Sequence, residues 1–284
     1  MKFLIVLALA LCAVAARAEP AIVAAENFYG DIAARIAGPG AKVTSILTNP
    51  AQDPHLFEAA PSTARALAGA NLVIVNGVDY DAWMTKLLAA SKAPGRKVIV
   101  VADLVKRRAS DNPHLWYDPA VMPVVAAAVA KELMEIDPAN RAGYETRLKT
   151  VLTALDTVQA RVIALKGKMK GVPVTATEPI FGYMADALGL EMRNRRFQFA
   201  LMNETEPSVR EVGAFQQDLS GRLVKAVIHN AQGGEPLAER MVKLAGDLRI
   251  PLVAVSELQP SGVTYEAWMT RQLDALEKAL AAKP

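Results

Sequence analysis

Three histidines stand in this chain, and two of them share a local pattern. His55 lies in Asn49-Pro50-Ala51-Gln52-Asp53-Pro54-His55-Leu56-Phe57-Glu58, and His114 lies in Asp111-Asn112-Pro113-His114-Leu115-Trp116-Tyr117-Asp118-Pro119. Both read Pro-His-Leu-aromatic after a strand-like segment and a proline-bearing turn. The proline fixes the direction of the backbone and the apolar residues that follow bury the loop, so each imidazole is presented from a rigid base. Neutral imidazole is the commonest metal ligand. One Pro-His pair carries little weight, because most such histidines are merely polar loop residues. Two in the same context make metal binding an equal competitor. The third, His229, ends a strand-like run beside Asn230 and Gln232. It could be a ligand or stand behind one, but a satisfied core histidine is the expectation.

The residue pattern argues against hydrolytic chemistry. No His-Glu-x-x-His spacing is present, and no Gly-x-Ser-x-Gly nucleophile turn. A secreted zinc hydrolase, with Glu257 or Glu178 as general base, is kept as an alternative reading, and a non-enzymatic role is expected.

The elements that must position these residues alternate between strand and helix, the pattern of an α/β protein with parallel sheets. Strands are predicted over 21–25, 42–47, 72–76 and 97–101, and helices over 28–37, 63–68 (with Ser62 as N-cap), 83–90 and 119–136. After Pro138 and up to about residue 170 the chain lacks proline and repeats apolar residues at three- and four-residue spacing, from Tyr144 through Val151, Leu155, Val158 and Val162 to Met169. Asp137 is the expected N-cap, with Pro138 at the first helical position. Thirty-odd residues at about 1.5 Å each would run about 45 Å, long enough to span two lobes. The alternation then resumes: strands at 173–177, 226–229 and 252–255, and helices at 181–188, 208–219, 237–248 and 265–282. Glu204 and Glu206 are read as structural, capping the helix that begins at Ser208. The three tryptophans, Trp83, Trp116 and Trp268, are read as core or cleft wall.

Composition bounds the setting. Lys2, the apolar run 3–14 and Ala16-Arg17-Ala18 make an export leader with cleavage expected after Ala18. The single cysteine, Cys12, falls inside that leader and follows Leu11, so neither a disulfide nor a lipid anchor is expected. Formal charge is +3 and apolar residues make up 52%. The clusters at 106–108 and 193–196 do not form the continuous basic face that nucleic acid needs. No stretch beyond residue 18 is long and apolar enough for a membrane-spanning helix.

The motifs also carry a resemblance. Asp53-Pro54-His55-x-Phe57-Glu58, Pro61-Ser62, Asn76-Gly77, Trp83, Pro113-His114-x-Trp116-x-Asp118-Pro119, Thr177-Glu178-Pro179-Ile180-Phe181-Gly182-Tyr183 and Glu204-Thr205-Glu206-Pro207-Ser208 occur in this order. Together they resemble the zinc/manganese-type periplasmic solute-binding proteins of ABC metal importers, the TroA-like cluster A-I family, over essentially the whole mature chain. The resemblance implies two α/β lobes with central parallel sheets, bridged by one long helix. Residues 1–18 would be the signal peptide, 19–136 the N-terminal lobe, 137–170 the bridging helix and 171–284 the C-terminal lobe. It implies a periplasmic monomer that captures a divalent transition metal and hands it to an inner-membrane permease driven by its ATPase. Its four ligands would fall on His55, His114, Glu178 and Glu257. The last is a departure, since most relatives have aspartate there. Two imidazoles and two carboxylates, each able to bind through both oxygens, favour Mn2+, with Zn2+ next and Fe2+ behind. Relatives also include surface adhesins, which stand as a further alternative.

Overall fold

The computed structural model describes residues 19–50, 57 and 59–282. The leader expected at 1–18 and the ligand expected at His55 fall outside the described residues. In chain order the strands are β1 (Ala21–Glu26), β2 (Lys42–Leu47), β3 (Leu72–Val75), β4 (Lys97–Val100), β5 (Pro173–Ala176), β6 (Glu191–Arg193), β7 (Val227–Asn230) and β8 (Leu252–Val255). The helices are α1 (Asn27–Ala37), α2 (Pro61–Ala68), α3 (Ala82–Ala90), α4 (Val101–Leu104), α5 (Val121–Ile136), α6 (Arg141–Met169), α7 (Gly182–Leu188), α8 (Arg195–Met202), α9 (Val209–Ser220), α10 (Pro236–Asp247) and α11 (Tyr265–Ala281).

Two four-stranded parallel sheets result, ordered β2-β1-β3-β4 and β6-β5-β7-β8. Inner strands covered on both faces must be apolar throughout, and β3, Leu72-Val73-Ile74-Val75, is buried at every position. The two-lobed α/β architecture expected from the alternation is the one observed.

Helix α6 joins the lobes. Its 29 residues bury a stripe from Tyr144 to Met169, packed on α1 and α5 of the first lobe and on α7 and α11 of the second. One apolar core runs without a break from Ile22 and Phe28 of the first lobe, through Leu155 and Val162, to Val174 and Val253 of the second. Smaller clusters fill the outer layers, around Val73 and Met84 in one lobe and around Phe197 and Phe215 in the other. A core shared between lobes resists wide opening, because separating them would expose it.

Several local expectations give way. Ser62 lies inside α2, whose N-cap is Ala60 without a side-chain bond. Pro138 opens a 3-10 turn over Pro138–Asn140 and the α-helix starts at Arg141. Asp137 holds the N-cap position of that turn without a side-chain capping bond, and its carboxylate accepts from Tyr144 Oη–H at 3.0 Å. The cap of α9 comes from Ser208 and Glu211 in a reciprocal capping box, not from Glu204 or Glu206. Strand β6 and helix α8 are additions to the predicted elements. Trp116 and Trp268 are buried core residues, and Trp83 packs on Phe57 with ring centroids 4.3 Å apart.

Candidate metal centre between the lobes

Ligands in open parallel sheets collect at the carboxyl ends of the strands, and here those ends from both lobes face each other. In the first lobe, the chain after β3 turns at Asn76-Gly77, where Asp81 accepts from both backbone N–H groups at 2.6 and 2.9 Å. Asn76 then donates from Nδ2 to the Pro113 carbonyl at 2.9 Å. That bond pins the loop carrying His114.

His114 is fully buried, with Trp116 and Tyr80 edge-on at ring distances of 5.3 and 5.9 Å. Its Nδ1 lies 2.7 Å from Asn112 Oδ1. Asn112 cannot turn its amide round, because its Nδ2 donates to the Pro179 carbonyl of the second lobe at 2.6 Å. The oxygen therefore faces the ring and the proton sits on Nδ1, the tautomer in which Nε2 carries the lone pair. Gly182 allows this approach, since a Cβ there would lie 2.9 Å from Asn112 Nδ2.

In the second lobe β5 runs into Glu178 and β8 into Glu257, and β7 lies between them. Glu178 is 8% and Glu257 2% exposed. Glu178 precedes the 3-10 turn Pro179–Phe181, but its side chain makes no capping bond, so the helix end does not account for the carboxylate. Glu257 Oε2 lies 3.7 Å from His114 Nε2 and accepts from Tyr80 Oη–H at 3.0 Å. Its backbone N–H donates to Gln232 Oε1 at 2.6 Å. Asn230 donates from Nδ2 to Glu257 Oε1 at 2.9 Å and to Glu178 Oε2 at 3.4 Å. Burial and the Glu257 carboxylate beside it push the Tyr80 hydroxyl well above its usual pKa, so it remains a donor.

The structure thus pairs His114 with Glu257, and places Asn230 between Glu257 and Glu178. Among the described residues, no group of three or more His, Cys, Asp or Glu side chains is placed to hold a metal ion. A cavity of about 20 Å3 is lined by Glu178, Glu204, Glu235 and Glu257, with Asn230, Gln232 and Gly233. That volume suits one small ion or water, and among the described residues no cationic side chain borders it.

His229 lies apart. It is half-buried and lines a cavity of about 250 Å3 with Glu178 and the α10 residues Glu239 and Lys243. Burial lowers its pKa. Strand alternation gives Asn230, not His229, the position between the two carboxylates. Tyr80, Asn112, Asn230 and Gln232 went unassigned as site residues in the sequence. The one available signal was the polar run Asn230-Ala231-Gln232 directly after a strand.

Comparison with known proteins identifies the family. The model of the family described as "ZnuA: Zinc-uptake complex component A periplasmic" matches residues 22–279. The manganese ABC transporter substrate-binding lipoprotein PsaA of Streptococcus anginosus is 25% identical, covering 98% of this chain and 96% of its own length. PsaA of a serotype 4 Streptococcus pneumoniae strain is also 25% identical, over 92% of this chain and 89% of its own. In structure the chain is similar to the periplasmic zinc-binding protein TroA of Treponema pallidum, with TM-score 0.77, 20% identity, and 93% and 100% of the two chains covered. The Mn2+ complex of FpvC from Pseudomonas aeruginosa aligns with TM-score 0.73 and 21% identity over 91% and 97% of the two chains. The chain belongs to the ZnuA family, the substrate-binding components of ABC-type metal importers.

Proposed function

We propose that this chain captures one divalent transition-metal ion, Mn2+ or Zn2+, with His55 and His114 from the first lobe and Glu178 and Glu257 from the second. The observation that carries this reading is the placement of His114 Nε2 opposite Glu257 Oε2 at 3.7 Å. Two donors each about 2.0–2.2 Å from one tetrahedral ion lie roughly 3.3 Å apart, so a small inward shift would let them share it. The ion is the cargo, and it acts as a cross-link between lobes. Binding needs neutral imidazole and ionised carboxylates, so uptake releases protons where these groups are protonated. The shared core and the bonds around Asn112 and Tyr117 restrict the change on binding to loop adjustment. Tyr117 Oη–H, for example, reaches the Ser256 carbonyl at 2.7 Å across the lobe boundary.

The partners in this reading are a membrane permease, which senses the metal-loaded surface, and the ATPase that drives it. The chain works outside the cytoplasm. A mature periplasmic protein beginning at Glu19 is proposed. The curated relatives are named as lipoproteins, and mass spectrometry of the mature N-terminus distinguishes a lipid on Cys12 from a free chain.

The testing experiment is metal titration of demetallated protein by calorimetry. The parent is expected to bind one ion per chain, and His55→Ala, His114→Ala, Glu178→Ala and Glu257→Ala to lose most of the affinity. Parent-like binding by His114→Ala or Glu257→Ala rejects the site. Turnover of ester or peptide substrates by the metal-loaded protein would favour the hydrolase reading instead.

A further inference from the structure

The small cavity at the carboxylates has a larger neighbour. A cavity of about 350 Å3 opens between the lobes, walled by Asp79, Tyr80, Asp111 and Pro113 of the first and by Phe199 and Met202 of the second. Met202, half-buried at the end of α8, lines both cavities and stands beside Glu178 and Glu257 in the inner one. Tyr80 joins them again, since it lines the outer cavity while its hydroxyl donates to Glu257 Oε2 at 3.0 Å. Among the described residues, the only charged side chains at the outer cavity are the carboxylates of Asp79 and Asp111. Asp111 accepts the backbone N–H of Arg108 at 2.9 Å, a neutral donor that leaves its charge in place. The backbone is strained where it carries Asp79. Gly77, Val78 and Asp79 follow one another with φ of 81°, 53° and 57°. Left-handed backbone is costly for a β-branched residue such as Val78, and such strain gathers at functional sites.

We infer that the ion enters through this interlobe cavity, drawn by Asp79 and Asp111, and passes Met202, which gates the inner cavity. The inference rests on the reading of Glu178 and Glu257 as ligands. A cleft lined by one sign of charge raises the local concentration of the opposite ion. The two aspartates therefore act on the rate of capture and do not hold the bound ion. The inner cavity has room for about one water-sized body, so a hydrated cation must shed its shell before entering. The outer cavity is large enough to receive it hydrated. Met202 suits the gate, because its unbranched thioether chain swings aside about three rotatable bonds without moving the backbone. A thioether is also a soft donor, a poor resting place for Mn2+ or Zn2+ beside carboxylates. A second neighbour, the cavity beside His229, meets the inner one at Glu178, Asn230 and Gly233. It is walled by the second lobe alone and bordered by Lys243, a cation that opposes entry of another.

The test follows metal exchange by stopped flow, with Zn2+ taken up by demetallated protein and released to excess chelator. Met202→Ala is expected to speed uptake and release alike by about fivefold or more. Its Kd should stay close to the parent's, because a gate changes the barrier and not the two states it separates. Met202→Phe should slow both steps. The double variant Asp79→Asn, Asp111→Asn should take up Zn2+ about threefold or more slowly at low salt, and the difference should close at high salt. Parent-like rates in these variants overturn the inference, and so does a Met202→Ala protein that loses affinity without exchanging faster. Val242→Phe, which fills the cavity beside His229, should exchange like the parent. Slowing there, with Met202→Phe unaffected, moves the route to that cavity and overturns this one. Glu257→Ala separates the two failures. If it still binds Zn2+ like the parent, the ligand reading is wrong. If it loses Zn2+ while the Met202 and aspartate variants exchange like the parent, only the route is wrong.

Discussion

Tyr80 of the first lobe donates its hydroxyl hydrogen to Glu257 Oε2 of the second at 3.0 Å. The bond joins the lobes at the atom that also faces His114 Nε2. Tyr80→Phe removes the donor and keeps the ring against Trp116, 4.8 Å away. A buried hydrogen bond to a carboxylate contributes about 1.5–3 kcal/mol, and the metal-free variant should lose stability of that order in urea denaturation. A parent-like midpoint would mean the contact contributes nothing.

Gly233 sits against the carboxylates. A Cβ there would lie 3.1 Å from Glu178 Oε1 and 3.3 Å from Glu235 Oε2. These are the far ends of flexible side chains, so Gly233→Ala should displace them at little cost to the fold, under about 1 kcal/mol. Metal affinity should fall by about tenfold, as when groups that orient ligands are disturbed. Calorimetric titration beside thermal unfolding checks both halves, and a loss of stability with unchanged affinity would contradict the argument.

The proposed ligands were more legible in the sequence than the parts that hold them. His114 announced itself through Pro113 and the aromatic residues after it, because a rigid base for an imidazole is written locally. Glu178 and Glu257 became visible only through the motifs around them, since a glutamate near a strand end is usually solvated. Asn230 and Tyr80 act through neighbours 27 to 177 residues away, and strand order decides that proximity. The same limit explains β6 and α8. Glu191-Met192-Arg193 is a three-residue edge strand with charged ends, and α8 starts from Asn194 in the left-handed region at φ 59°, a start with no proline or capping box to mark it. The long helix was legible because its apolar stripe repeats over 29 residues.

Glu26 provides a pH signature independent of the metal. It ends β1 fully buried, and burial, with the nearby Asp81 carboxylate adding to it, holds its carboxyl well above the ordinary range. A carboxyl whose folded pKa is raised binds its proton more tightly in the folded state. Its contribution is complete below the unfolded pKa and is lost as pH rises through the folded one. The parent should therefore lose stability relative to Glu26→Gln as pH rises above the ordinary carboxylate range. Denaturation curves that stay parallel across that range would remove Glu26 as the cause.

Metal should stabilise the folded chain by mass action. At a free concentration about 100 times Kd, a ligand that binds only the folded state adds about 2.7 kcal/mol. The melting temperature of the parent should rise accordingly with Zn2+ or Mn2+, and chelator should reverse the rise. His114→Ala should show almost none of it. A full shift in that variant would place the ion elsewhere.

The most direct measurement is anomalous diffraction from crystals of the metal-loaded protein, recorded on both sides of the absorption edge of the added metal. The account predicts one strong peak between the lobes, within coordination distance of His55, His114, Glu178 and Glu257. A principal peak beside His229, or one bound by a single lobe alone, would contradict it.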